Sequence, residues 1–188
     1  MSTRGSEDFF QKLRSHYESV WGKLCYEMRW SQGPVSQLPE GFHTEVFQKD
    51  KTTKVIVTSG LSLGNAEHPI ELCMYFPSGF SNEARLGEIL TITAHYHLTG
   101  GNLGVGDSVN WGEPIIPGSQ CAWGYLSWPY LEGKVLGDIN FNKAKVFWLV
   151  PLTEAELAFK KAEGVEALEV VFEGQGLNYI DFLRGSLC

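Results

Sequence analysis

Ser62 stands at the centre of Gly60-Leu61-Ser62-Leu63-Gly64, the G-x-S-x-G pattern with which serine hydrolases expose a nucleophile on a sharp strand-to-helix turn. The run Lys54 to Ser59, with Val-Ile-Val at its centre, supplies a credible preceding strand. The downstream context does not fit: Asn65-Ala66-Glu67-His68-Pro69 leads to proline and a β-rich run, so no helix N-terminus is expected behind the serine. The triad acid and histidine should come later in the chain, yet the last histidine is His97. A serine hydrolase using Ser62 is therefore an alternative with incomplete context. Gly100, Gly101, Gly104 and Gly106 invite a phosphate-cradling loop, but no Gly-Lys-Ser/Thr comes after them and Asp107 would set a negative charge beside the phosphates. A tight loop using glycine at positive φ is the preferred reading. His95 and His97, two residues apart, fall on nearly opposite sides of the helix expected there and do not chelate one ion together. They are read as polar residues at a helix end, and neither a metal site nor a cofactor is expected. Glu154, Glu156, Glu163 and Glu166 are read as a solvated helix face, not as a general acid/base pair.

The elements that carry these residues can be read from patterning. Residues 6–24 read as an amphipathic helix capped by Ser6, with Phe9, Leu13, Tyr17, Val20 and Leu24 recurring at three and four. Residues 30–43 form a connector in which Pro34 and Pro39 oppose regular structure. Strands are expected at Thr44 to Phe47, Lys54 to Ser59 and Ile70 to Phe76, then a helix from Ser81 or Asn82 through Leu98, ended by Gly100-Gly101. Cys121 to Trp128 and Ala144 to Val150 read as strands, separated by an excursion from Pro129 to Asn142 with a short strand around Val135. Thr153 and Glu156 make a capping box, with Leu152 and Leu157 placed as a hydrophobic staple, so a helix starts at Thr153 and ends at Gly164. A further short helix is expected from Val165 to Phe172. Strands and helices interleaved without repeats predict one α+β domain over residues 1–188, a mixed, mainly antiparallel sheet flanked by helices, with residues 1–29 as an amino-terminal helical segment.

Composition narrows the function classes. The formal charge of −7, from 22 acids against 15 bases, repels a phosphate backbone, so nucleic acid is not expected as a direct partner. The longest apolar run, Val146 to Leu152, is too short to cross a bilayer, and the first residues lack the apolar core of a secretory signal. A membrane partner is not expected, and the default compartment is the cytoplasm. Cys25, Cys73, Cys121 and Cys188 show no C-x-x-C spacing and are expected to be thiols, with Cys73 filling core. Trp111, Trp123, Trp128 and Trp148, with Tyr96, Tyr125 and Tyr130, are mostly core, although one or two near the glycine-rich loop could line a groove. An aromatic pocket for a small ligand is a further alternative.

Two stretches carry a resemblance to a known family: Gly104-Val-Gly-Asp107-Ser-Val-Asn-Trp111, and Phe147-Trp-Leu-Val-Pro-Leu-Thr153-Glu-Ala-Glu156-Leu157. With Gly60-Leu61-Ser62, Ile70-Glu71-Leu72 and Tyr179-Ile180-Asp181-Phe182-Leu183-Arg184-Gly185, they resemble the Suppressor of Fused (SUFU) domain, in the family's order, over about residues 55 to 185. The resemblance implies binding and no enzymatic chemistry. In animals the family grips an extended peptide between two domains, and this chain resembles only the amino-terminal one. Short single-domain members look bacterial and are associated with toxin systems as immunity proteins. The resemblance thus implies a non-enzymatic protein-binding module whose partner is a protein or peptide, such as a basic toxin. It places Asp107 in the peptide groove beside the matching Trp111, with Tyr96 or His95 as the aromatic from the preceding helix. An Asx-type turn at Asp107 is the competing reading.

Overall fold

The computed structural model describes residues 3–64, 67–139 and 141–188. Helix α1 (Thr3–Trp21) buries Leu13, Tyr17 and Trp21, one stripe at spacings of four. It begins ahead of Ser6, which lies inside the first turns instead of capping them. It also ends earlier than the apolar spacing suggests. Gly22 takes φ 81°, the left-handed conformation that closes a helix, and its amide donates to the Glu18 carbonyl. The chain then reverses into β1 (Leu24–Met28), a strand in place of the helical end expected for these residues.

The connector is more ordered than its prolines suggest. Pro34 sits in the first turn of a short 3-10 helix (Gly33–Gln37), where its missing N–H costs nothing, and Leu38 is buried. Next come β2 (His43–Gln48), β3 (Thr53–Ser59) and β4 (Ile70–Pro77), close to the expected runs. Asn65 and Ala66, which fall in the segment where no helix is expected after Ser62, lie outside the described residues. Helix α2 (Glu83–Tyr96) starts after Asn82, whose side chain makes no cap bond, and runs into a π turn (His97–Gly101). Strand β5 (Ser108–Asn110) lies within the glycine-rich stretch and pairs with β6 (Cys121–Ser127). Around Val135 the expected strand is replaced by a single helical turn, α3 (Lys134–Gly137), with the two-residue β7 (Asp138–Ile139) directly after it. The chain closes through β8 (Ala144–Thr153), α4 (Glu154–Glu163) and α5 (Val165–Gln175).

Among the described residues the strands form one eight-stranded sheet, ordered β1-β2-β3-β4-β8-β6-β5, with β7 also on β8. The β4–β8 pair is parallel and every other pair is antiparallel, which makes the single domain α+β with a mixed sheet, as its patterning predicts. Both faces are covered, so the strands read as nearly unbroken apolar runs. Alternate residues serve opposite cores. Val46, Ile56, Leu72, Met74 and Leu149 pack with Leu86, Ile89 and Leu90 of α2. Phe47, Val55, Val57, Cys73, Tyr75 and Trp148 pack with α1 and with Leu168 and Phe172 of α5. Among the described residues no helix is long and apolar enough to cross a membrane. All four cysteines are free thiols, Cys73 and Cys121 buried, Cys25 and Cys188 exposed.

The capping box forms as expected: Thr153 Oγ1 accepts from the Glu156 amide at 3.2 Å, and Glu156 Oε2 accepts from the Thr153 amide at 2.9 Å. Thr153→Ala should lower the free energy of unfolding by about 1 kcal/mol, read from urea midpoints at unchanged m-value.

Candidate functional site

The G-x-S-x-G turn is organised around a carboxylate instead of an imidazole. Gly60 adopts φ 102°, which turns the chain out of β3 into the 3-10 turn Leu61–Leu63. The amides of Gly60, Leu61 and Ser62 then converge on the fully buried Glu71 carboxylate of β4, at 3.1, 3.3 and 3.0 Å. The Ser62 hydroxyl donates to Glu71 Oε1 at 2.7 Å and accepts from Asn142 Nδ2 at 2.9 Å, and Thr58 Oγ1 donates to Oε2 at 2.5 Å. Burial pushes the Glu71 carboxyl up to about 7, opposed by the donors from Thr58, Ser62 and Gly60. The arrangement satisfies a strand exit. Ser62 is buried and its proton is directed at the same carboxylate that holds the turn.

The two histidines also separate. His95 Nε2 approaches Gln37 Oε1 at 3.2 Å near the surface. His97, expected as a polar helix-end residue, is buried: Nδ1 accepts the Leu103 amide at 2.9 Å and Nε2 lies 3.2 Å from the His68 carbonyl. Burial lowers its pKa. It thereby anchors the start of the glycine-rich loop. Glu156 is likewise not on a solvated face. It is fully buried, and Arg184 reaches it with Nη1 at 2.5 Å and Nη2 at 2.9 Å.

Asp107 is exposed and shapes its own loop: its Oδ2 accepts the Gly104 amide at 2.8 Å, and its backbone carbonyl accepts the Leu126 amide of β6 at 2.9 Å. Lys160 of α4 bonds the Gly106 carbonyl and, at 2.6 Å, Ser108 Oγ. Burial lowers the Lys160 pKa, with Asp107 pulling the other way. Trp111 is only 5% exposed and belongs to the α2-side core. Its ring lies so close over Gly124 of β6 that a Cβ there would meet Trp111 Cζ2 at 2.6 Å. Tyr96, at the end of α2, is 49% exposed. The loop's carboxylate and the Tyr96 ring are thus available to a partner, whereas Trp111 holds the loop from beneath.

On the other face of the sheet the loop continues into an aromatic groove that the sequence only hints at. Lys160 Nζ stands 5.3 Å from the Tyr125 ring centroid, and the Tyr125 hydroxyl donates to Glu169 of α5 at 2.7 Å. Tyr125, Tyr130, Trp148, Phe172, Leu177 and Tyr179 line an open cavity of ≈ 440 Å³ whose rim carries Glu169 and Glu173. Trp148 and Tyr179 meet edge to face at 5.2 Å, and Tyr130 is 62% exposed. The signal is distributed along the chain: Tyr125 and Trp148 come from adjacent strands, Tyr179 from the segment after α5.

A sheet of this order, with a carboxylate-held turn at the exit of β3 and a buried Arg–Glu pair joining its last strand to the carboxy-terminal segment, makes one α+β domain, and among the described residues no histidine bonds the Ser62 hydroxyl. The family model for Suppressor of fused protein (SUFU) matches residues 42–185, and the chain belongs to this family. Among solved structures it is similar to a protein assigned as a SUFU homolog in Neisseria gonorrhoeae, with 24% identity, TM-score 0.83, and 97% of this chain and 98% of that chain covered. It is similar at 13% identity and TM-score 0.69 to a chain of the Sufu–Fu complex, covering 95% of this chain and 92% of that one. Drosophila Suppressor of Fused matches at 13% identity and TM-score 0.69, over 95% of this chain and 50% of that one, so this chain spans about half of the fly protein. Comparison with curated proteins gives no match.

Proposed function

We propose that the chain is a non-enzymatic module that binds a protein partner along the surface running from the Asp107 loop, over Lys160, into the Tyr125–Trp148–Tyr179 groove. The observation that carries this reading is the continuity of that surface. Lys160 bonds the Asp107 loop at the Gly106 carbonyl and stands over the Tyr125 ring, whose hydroxyl donates to Glu169, so the loop, the aromatic floor and the acidic rim of Glu169 and Glu173 adjoin. Aromatic side chains bury large area at small entropic cost, and acids at a rim steer a basic partner. The Sufu–Fu complex, in which a related fold is held with a protein partner, supports the same class of activity. The finer reading is a cytoplasmic bacterial immunity protein that neutralises a basic toxin. In it Asp107 and Tyr96 contact the partner and Trp111 fixes the loop. The excess of 22 acids over 15 bases suits such a target.

The test is co-expression and co-purification with the protein encoded beside this chain, followed by titration of purified variants. Tyr130→Ala and Glu173→Lys, both at exposed positions of the groove, should each weaken binding by at least about tenfold while leaving the unfolding midpoint nearly unchanged. Asp107→Asn should weaken binding if the carboxylate meets the partner. Labelling of Ser62 by a fluorophosphonate probe, or turnover abolished by Ser62→Ala, would replace this reading with the hydrolase alternative.

A further inference from the structure

The register between β1 and β2 sets Glu27 directly opposite Glu45, and His43 lies two residues from Glu45 on the same side of β2. Like charges opposed across a sheet are destabilising unless something positive lies between them. Arg14 of α1 now supplies it, with Nη2 at 2.7 Å from both Glu27 Oε2 and Glu45 Oε1. The imidazole adds a further demand. His43 Nδ1 is 2.8 Å from the Gly41 carbonyl, which can only accept, so Nδ1 carries a proton. The opposite nitrogen, Nε2, points at Glu45 Oε1 at 3.2 Å and Glu27 Oε2 at 3.7 Å. With Nε2 deprotonated, three electron-rich atoms face one point, and the histidine is oriented by a backbone carbonyl as metal-ligating histidines are. Glu45 is fully buried, and its second oxygen, Oε2, has no hydrogen-bond partner among the described residues.

We infer that Glu27, His43 and Glu45 form a binding site for a divalent transition ion of the zinc or cobalt type. One nitrogen and two carboxylate oxygens, all within 4.8 Å of one another, form a mixed donor set suited to such an ion. With metal–ligand bonds of about 2.0–2.2 Å, tetrahedral ligands stand about 3.4 Å apart, and the two nitrogen–oxygen separations of 3.2 and 3.7 Å bracket that value. Entry is available from the solvent side: Glu27 and Arg14 are partly exposed and open onto a groove of ≈ 610 Å³ also lined by Glu7, Glu40 and Arg29. The acids Glu7, Glu27, Glu40 and Glu45 outnumber Arg14 and Arg29, so a cation is drawn there. The ion displaces the Arg14 guanidinium, whose long side chain can swing into the groove, and the fourth position is left to water.

The experiment titrates Zn2+ into the full chain after chelator treatment, by calorimetry and thermal melting, and repeats it with Co2+ in visible absorption. One ion per chain should bind and raise the melting temperature. The Co2+ spectrum should lack the sulfur charge-transfer bands that Cys25 or Cys188 would produce. Glu27→Gln, at an exposed position that leaves the fold intact, and His43→Gln should each weaken binding at least about tenfold. Arg14→Ala, which removes the competing cation, should bind Zn2+ more tightly and show the larger thermal shift. Absence of binding at millimolar Zn2+, affinity unchanged in Glu27→Gln, or thiolate bands with Co2+ would each overturn the site.

Discussion

Replacing Arg184 with methionine should destabilise the protein by about 3–5 kcal/mol, a fall in melting temperature of about 6–20 °C for a domain of this size. Arg184 is nearly buried, and its guanidinium bonds both oxygens of Glu156 and, at 2.9 Å, the Pro151 carbonyl. The pair is worth little as a net gain over apolar packing, because both ions have left water. Removing one partner is different, since it strands a carboxylate with zero exposure. The Thr153 and Leu187 amides, at 2.9 and 3.1 Å, are too few to compensate it. The pH dependence provides a second readout. Burial pushes the Glu156 carboxyl up, but Arg184 and the amide donors outweigh it, so its pKa is held below the ordinary value. A depressed pKa contributes stability above the unfolded-state value that is lost as the pH falls through the folded-state value. Without Arg184, burial dominates and the sign reverses, so Arg184→Met should recover stability on moving from neutral pH to about 5. The double variant Arg184→Met, Glu156→Gln should lose less than the sum of the single losses, because no buried charge remains. Urea unfolding at the two pH values checks all three; equal losses at both would show that the pair is not the source.

How much of this is legible in the sequence depends on whether the signal is local. The Thr153–Glu156 box is visible because both residues act within one helical turn, and the apolar runs of β3, β4 and β8 are visible because a sheet covered on both faces needs unbroken hydrophobicity. The burial of Glu156 is not, because the same residue also serves a partner twenty-eight positions later. Two of the segments that carry the resemblance, Thr153 to Leu157 and Tyr179 to Gly185, are joined by that ion pair, and two others, Gly60-Leu61-Ser62 and Ile70-Glu71-Leu72, are joined through Glu71. The Glu27–His43–Glu45 cluster is hidden for a related reason. With Leu24–Met28 not recognised as a strand, no register exists to set Glu27 against Glu45, and His43 stands at the end of a connector. Asp107 is found through the resemblance, but the groove beside it draws its aromatics from β6, β8, α5 and the segment beyond, which no spacing in the chain connects.

Substituting Glu71 by glutamine should cost about 3 kcal/mol at neutral pH and should flatten the pH dependence of stability. Five donors surround the carboxylate: three amides and the hydroxyls of Thr58 and Ser62. A carboxylate accepts from all of them, whereas the amide nitrogen of glutamine brings two more hydrogens to a place already crowded with hydrogens. In the parent protein burial pushes the carboxyl up to about 7 from an ordinary 4.5, so between those values the folded state holds a proton that the unfolded state releases. The contribution is complete below the unfolded value and is lost as pH rises to the folded one. Stability should therefore increase on acidification from pH 7 toward 4.5 by an amount on the order of 3 kcal/mol, less the opposing loss from groups such as Glu156. Glu71→Gln has no proton to take up and should lack that increase. Amide exchange locates the effect: Gly60, Leu61 and Ser62 should lose protection in the variant while the centre of β3 keeps it. Retained protection at those three amides would mean that the turn holds itself without the carboxylate. If they do lose protection, the serine in this G-x-S-x-G sequence is a donor to a structural acid, and its position on the strand exit is fixed by Glu71 and not by a catalytic base.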